Sequence, residues 1–178
     1  LAFAAGDTVL LDHTAGLLAA ETTMAGLLHW CRAHGVDLRE HTSVQHIRSE
    51  DDCVQVATAH GDLRTRRVVL ACGAWLPQLI PSLPFALKVI EQDVGYFEVD
   101  APPEQQRVGV FPVWARIGAD ASDFRYGLPE FERRGLKCAQ HRTTGEGIHP
   151  DQRTTSVDHA ALWELGRTSF AVRVRELI

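Results

Sequence analysis

The residues that most constrain this fold are Val68 to Leu76, the longest nearly uninterrupted apolar run in the chain. Within it, Arg67 to Ala71 reads Arg-Val-Val-Leu-Ala, with none of the polar alternation of a half-buried strand. A run of that kind predicts a strand buried on both faces, as in a parallel sheet. It is far shorter than the ~18 residues a membrane span needs. It ends at Cys72-Gly73-Ala74-Trp75. A glycine at the carboxyl end of a buried strand lets the backbone approach a ligand closely. The residues alone leave that reading level with a tight strand-to-helix turn that holds no ligand.

The segments before this run extend the pattern. Met24, Leu27, Leu28 and Cys31 are spaced as one apolar helix face after Thr22 and Thr23, which predicts a threonine-capped helix from about Thr22 to His34. Gly35 follows, where a helix end favours positive φ. Strands are expected at Thr8 to Leu11, Val36 to His41, Val44 to Ser49, Cys53 to Ala59 and Leu63 to Arg66, with a turn at His60-Gly61-Asp62. Helix, strand, small antiparallel meander, buried strand and glycine turn make a piece of an α/β nucleotide-binding fold without its opening strand. Pro77, Pro81 and Pro84 break the chain, and a lobe boundary is placed near Pro84. Beyond it, strands are expected at Leu87 to Val99, Val108 to Arg116, Phe124 to Leu128 and Gly135 to His141. A helix capped by Ser156 is expected from Asp158 to Arg167. The fold class is therefore α/β plus α+β: lobe 1–83, then lobe 84–178 with a mostly antiparallel sheet.

Composition excludes several functions. With 45% hydrophobic residues and a net charge of -5, the chain is neither disordered nor built to bind nucleic acid. The four cysteines form no metal-type pair, so they read as free thiols in a reducing, cytoplasmic compartment. Cys31 and Cys72 are expected in the core. Nine histidines offer no spacing that completes a metal site. GxGxxG, the P-loop, HExxH and GxSxG are all missing. The start at Leu1 reads as an internal piece of a longer protein. Lys88 and Lys137 are the only lysines among 18 basic residues. Lys137 and His141, four apart, share a face on either a helix or a strand; on their own they read as two solvated polar residues.

The stretch Phe124-Arg-Tyr-Gly-Leu-Pro-Glu-Phe-Glu-Arg-Arg-Gly-Leu-Lys-Cys-Ala-Gln-His141, followed by His149-Pro150-Asp151, resembles the monomeric sarcosine oxidase and N-methyltryptophan oxidase family. There the pattern is Tyr-Gly-Phe-Pro, Gly-Leu-Lys-x-x-x-His and Asp-Pro-Asp. Gly16-Leu-Leu, His41-Thr-Ser-Val44, Val69-Leu-Ala-Cys-Gly-Ala-Trp75 and Gln92-Asp-Val-Gly-Tyr-Phe-Glu98 follow that family in the same order. The resemblance covers roughly Gly16 to Leu165. Leu128 stands where the family has an aromatic residue, and His149 where it has an acid. The tail from Arg167 to Ile178 matches poorly.

The resemblance implies an FAD-dependent oxidase that converts the C–N bond of an N-methyl amino acid or related secondary amine to an imine, with O2 reduced to H2O2. It implies a partial, Rossmann-like FAD lobe at 1–83, contacting the cofactor through Val44, Cys72, Gly73 and Trp75, and a substrate lobe at 84–178. Tyr126 and His141 match residues lining the amine pocket. Lys137 matches the lysine that activates O2, where a nearby cation offsets the negative charge the oxygen acquires. At about 4 Å and an effective dielectric of ~20, that is worth roughly 4 kcal/mol. The family's GxGxxG turn, carboxylate-binding arginine, flavin-linking cysteine and second substrate lysine fall outside this chain. FAD is therefore expected to be absent or weakly held, and self-association is expected. A degenerate relative serving as a binding module is the alternative.

Overall fold

The computed structural model describes residues 1–120, 123–153 and 156–178. They form two compact units, Leu18–Val89 and a second made of Leu1–Leu17 with Ile90–Ile178. The division thus falls a few residues beyond Pro84. The first seventeen residues group with the C-terminal unit, tied there by the Ala2 amide donating to the Ser169 carbonyl at 2.9 Å.

In the unit Leu18–Val89, helix α1 spans Ala20–Ala33. Its C-terminus is closed as the sequence predicts. Gly35 has φ +75. Its amide donates to the Arg32 carbonyl, and the Val36 amide donates to that of Cys31, the paired bonds of a Schellman end. No threonine caps the start: Ala19 holds that position without a side-chain bond, and Thr22 lies inside the first turn.

Strands β1 (Val44–Ser49), β2 (Val54–Thr58) and β3 (Gly61–Thr65) form an antiparallel meander. Val56 stands opposite Ile47 on one side and Leu63 on the other. The Thr58 hydroxyl donates to the Gly61 carbonyl at 2.7 Å and fixes the turn.

Arg67 to Ala71 is not a strand. It makes no ladder bonds, and Val69 is 90% exposed. A strand buried on both faces needs a hydrogen-bonded neighbour on each side and a layer over each face. The described residues of this unit supply neither. Val36 to His41 also forms no strand. Cys72 leads into a single 3-10 turn, Gly73–Trp75, and then the short helix α2, Leu76–Leu79.

The larger unit is built on a five-stranded antiparallel sheet. Its members are β4 (Val94–Val99), β5 (Trp114–Ile117), β6 (Phe124–Leu128), β7 (Leu136–Gln140) and β8 (Val174–Leu177), in the order β5-β6-β7-β4-β8. Helix α3, His159–Ser169, covers one face. Its cap is Asp158, whose Oδ1 accepts from the Ala161 amide at 2.9 Å, two residues after the expected Ser156.

Two strands are shorter than expected. Residues 87–93 make no ladder bonds before β4, and Pro112, with no N–H to give, precedes β5. Thr8 to Leu11 forms no strand, and Leu10 is 93% exposed. Strand β8, in the poorly matching tail, was not expected.

The core lies between the sheet and α3 and contains Phe97, Val99, Leu136, Cys138, Leu162, Leu165, Phe170 and Val174. Cys138 is the fully buried thiol, whereas Cys31 and Cys72 are only half-buried. Phe97 reaches this core because two glycines make room for it. A Cβ on Gly95 would lie 2.5 Å from the Phe97 ring, and one on Gly166 would lie 2.4 Å from it.

Candidate active site

The register of the larger sheet decides which side chains share a face. Gly95 pairs with Cys138 and Phe97 with Leu136, and these four lie on the α3 side. Side chains alternate along a strand, so Val94, Tyr96 and Glu98 of β4, and Lys137 and Ala139 of β7, take the opposite face. Tyr126 pairs with Ala139, and Leu128 with Lys137, which puts Phe124, Tyr126 and Leu128 there too. The sheet thus brings Tyr126 and Lys137 onto adjacent strands on the face opposite α3.

His141 joins them from just beyond the end of β7. Its amide donates to the Phe124 carbonyl at 2.7 Å. Its ring meets Phe124 edge-on, with centroids 5.7 Å apart. Phe124 in turn stacks on Tyr126 at 6.1 Å. Phe124 was missed as a site residue. Its two-residue spacing from Tyr126 on a predicted strand was the signal that could have found it.

Lys137 is half-buried between Tyr96 and Leu128. Among the described residues it has no carboxylate partner, whereas Arg134 pairs with Glu98, Arg142 with Asp93 and Arg125 with Asp123. An ammonium that is half-buried and unneutralised projects positive charge from the sheet face. On the same face Tyr126 is its diagonal neighbour on β6, and His141 with Phe124 lies farther along the strands, about 13 Å from Lys137 at the usual rise of ~3.3 Å per residue. Such a face can orient a small amine and stabilise negative charge developing near Lys137.

Gly127 belongs to the same stretch but serves the core. A Cβ there would lie 2.6 Å from Trp114 Nε1 and 2.3 Å from the Lys137 carbonyl oxygen, so only glycine leaves room for the indole against β6. A cleft of about 690 Å3 opens at the other end of the strands, beside Glu98, Asp100, Arg134 and Arg175. These charges pair with one another.

In the smaller unit, Val44 opens β1, half-buried, opposite Thr58. Cys72, half-buried, precedes the 3-10 turn. Gly73 has φ +54, and a Cβ there would meet no atom within 4 Å. Glycine is favoured at that position by the backbone conformation, not by crowding, and the space in front of it is open to a ligand. Trp75 is 47% exposed at the end of the turn.

The sequence model of the DAO family, described as FAD dependent oxidoreductase, matches residues 3–177. Monomeric sarcosine oxidase from Arthrobacter sp. is 26% identical over 144 residues, covering 80% of this chain and 36% of that protein. N-methyl-L-tryptophan oxidase from Escherichia coli is 24% identical over 140 residues, covering 79% of this chain and 36% of that protein. Among solved structures, a mutant of NikD, an unusual amino acid oxidase essential for nikkomycin biosynthesis, superposes in its open form with a TM-score of 0.64 at 24% identity. That match covers 83% of this chain and 39% of the other. The chain thus spans little more than a third of the relatives it matches.

Proposed function

We propose, since the chain belongs to the FAD dependent oxidoreductase family, that it is part of an oxidase acting on the C–N bond of a secondary amine or N-methyl amino acid. The substrate loses two electrons and two protons to become an imine. O2 takes up both pairs and becomes H2O2. The single observation that carries this reading is that Tyr126, Lys137 and His141 share the sheet face opposite α3.

In this reading the larger unit supplies the substrate face. Tyr126 and His141 hold the amine and set its orientation, with Phe124 as the wall behind them. Lys137 keeps a fixed positive charge where O2 acquires negative charge. FAD, when bound, supplies the electron transfer itself. In the smaller unit the open space before Gly73 fits a close backbone approach to the cofactor, and Val44, Cys72 and Trp75 are its proposed neighbours. The pyrophosphate has no glycine-rich cradle among the described residues, so these residues fit part of FAD only. The proposed partners are a small amine and O2, and the exposed apolar residues favour self-association. No described helix is long and apolar enough to cross a membrane.

Lys137→Met tests the assignment, measured by stopped flow in a flavin-loaded protein containing this chain. Reoxidation by O2 is expected to slow by roughly a hundred- to a thousandfold, the loss of ~3–4 kcal/mol of charge stabilisation. Flavin reduction by substrate is expected to change far less. Tyr126→Phe and His141→Asn are expected to act mainly on reduction. Equal effects of Lys137→Met on both half-reactions would return Lys137 to a solvated strand residue.

A further inference from the structure

The segment Gln92-Asp-Val-Gly-Tyr-Phe-Glu98 contains a device that the proposed chemistry does not use directly. Gln92 lies before β4, where no ladder bonds are made. Its side chain forms them instead. Gln92 Nε2 donates to the Arg142 carbonyl at 2.9 Å, and the Arg142 amide donates to Gln92 Oε1 at 2.8 Å. One carboxamide thus satisfies both backbone groups of Arg142, as a neighbouring strand would. The Arg142 guanidinium also pairs with Asp93 Oδ2 at 3.1 Å. Two successive residues on one side therefore grip Arg142 by its backbone and by its side chain.

Arg142 directly follows His141, and His141 lies past the last residue of β7. On the other side its backbone is held by the bond to Phe124. Lys137 needs no such help. It sits inside β7, paired to Tyr96 of β4 and to Leu128 of β6.

We infer that Gln92 is a positioning residue for His141: its carboxamide extends the sheet past the end of β7 and fixes the imidazole against Phe124. This rests on the proposed role of His141 in holding the amine. The consequence is selective. Losing the clamp loosens the residue after the strand and leaves the lysine inside the strand in place, so the two half-reactions separate.

The test uses Gln92→Ala and Gln92→Glu, the latter keeping the acceptor for the Arg142 amide and losing the donor. Hydrogen exchange on the chain is expected to show protection of the Arg142 amide falling tenfold or more in Gln92→Ala. Gln92→Glu is expected to fall between the alanine variant and the parent. Protection of the Gly95 and Ala139 amides should stay constant, which reports an intact sheet.

In a flavin-loaded protein containing the chain, Gln92→Ala is expected to weaken substrate binding in flavin reduction at least threefold and to leave reoxidation by O2 unchanged. Unaltered Arg142 protection, or an equal fall of both half-reactions, would overturn the inference. His141→Asn separates the two readings. If it slows reduction while Gln92→Ala does not, the positioning role fails and the functional reading stands. If His141→Asn leaves reduction untouched, the functional reading of His141 fails, and the positioning role falls with it.

Discussion

Phe97 illustrates how single residues set this core. Its ring lies between Gly95 on its own strand and Gly166 inside α3, joining the sheet to the helix through one side chain. Gly166→Ala is therefore expected to destabilise the chain, although alanine is the better helix former by about 1 kcal/mol. A methyl 2.4 Å from the ring forces a shift that costs on the order of 1–3 kcal/mol. Urea denaturation is expected to give a lower midpoint at unchanged slope; a raised midpoint would mean the ring yields freely. Cys138 is the second such residue. Burial pushes its thiol above the ordinary value, partly offset by its bond to Ser169 and by nearby Arg125. Above the unfolded thiol value of about 8.5 the unfolded chain ionises there and the folded chain does not. Its contribution to stability is complete below that pH and is lost as pH rises from there through the raised folded value. Denaturation midpoints followed from pH 7 to 10 should fall, and Cys138→Ala should flatten part of that slope. An unchanged slope in the variant would assign the alkaline loss to other groups.

Elements with a local cause were legible. The α1 stripe, its glycine end, the meander and β6 follow from spacing and turn residues within a few positions of one another. Elements that need distant partners were not. Arg67 to Ala71 has the composition of a buried strand, but composition cannot supply the neighbour that completes its hydrogen bonds. Strand β8 was missed for the converse reason: Val174–Leu177 is only four residues long with two charged residues at its centre, and its pairing with β4 makes it a strand. Cofactor binding is decided at this scale. A pyrophosphate is held by backbone N–H groups at a helix N-terminus following a glycine turn. Helix α1 begins at Ala20 without a strand before it, and no described glycine turn offers that geometry. Free FAD is expected to bind the isolated chain more weakly than micromolar, as read by quenching of flavin fluorescence. A submicromolar constant would reveal a phosphate site elsewhere in the chain.

At the scale of the molecule, the amount of uncovered apolar surface has a consequence. Val9, Leu10 and Leu11 are exposed in the larger unit; Met24, Leu27, Trp30 and Val69 are exposed in the smaller one. Contiguous apolar patches beyond a few hundred Å2 drive association, and unpaired sheet edges add to it. Self-association rising with concentration is expected in sedimentation or light scattering; a clean monomer at high concentration would count against it. The sequence by itself determined the α1 helix, the antiparallel character of the C-terminal sheet, and the pattern of Tyr126, Lys137 and His141 that resembles a family of flavin oxidases. Those properties rest on short-range periodicity and on residue types kept in order. Only the tertiary structure decided that the first seventeen residues join the larger unit, that Arg67 to Ala71 stays exposed, and that Gln92 grips Arg142 from fifty residues away. Each depends on which surfaces meet, and contacts between distant residues leave no period along the chain from which to read them.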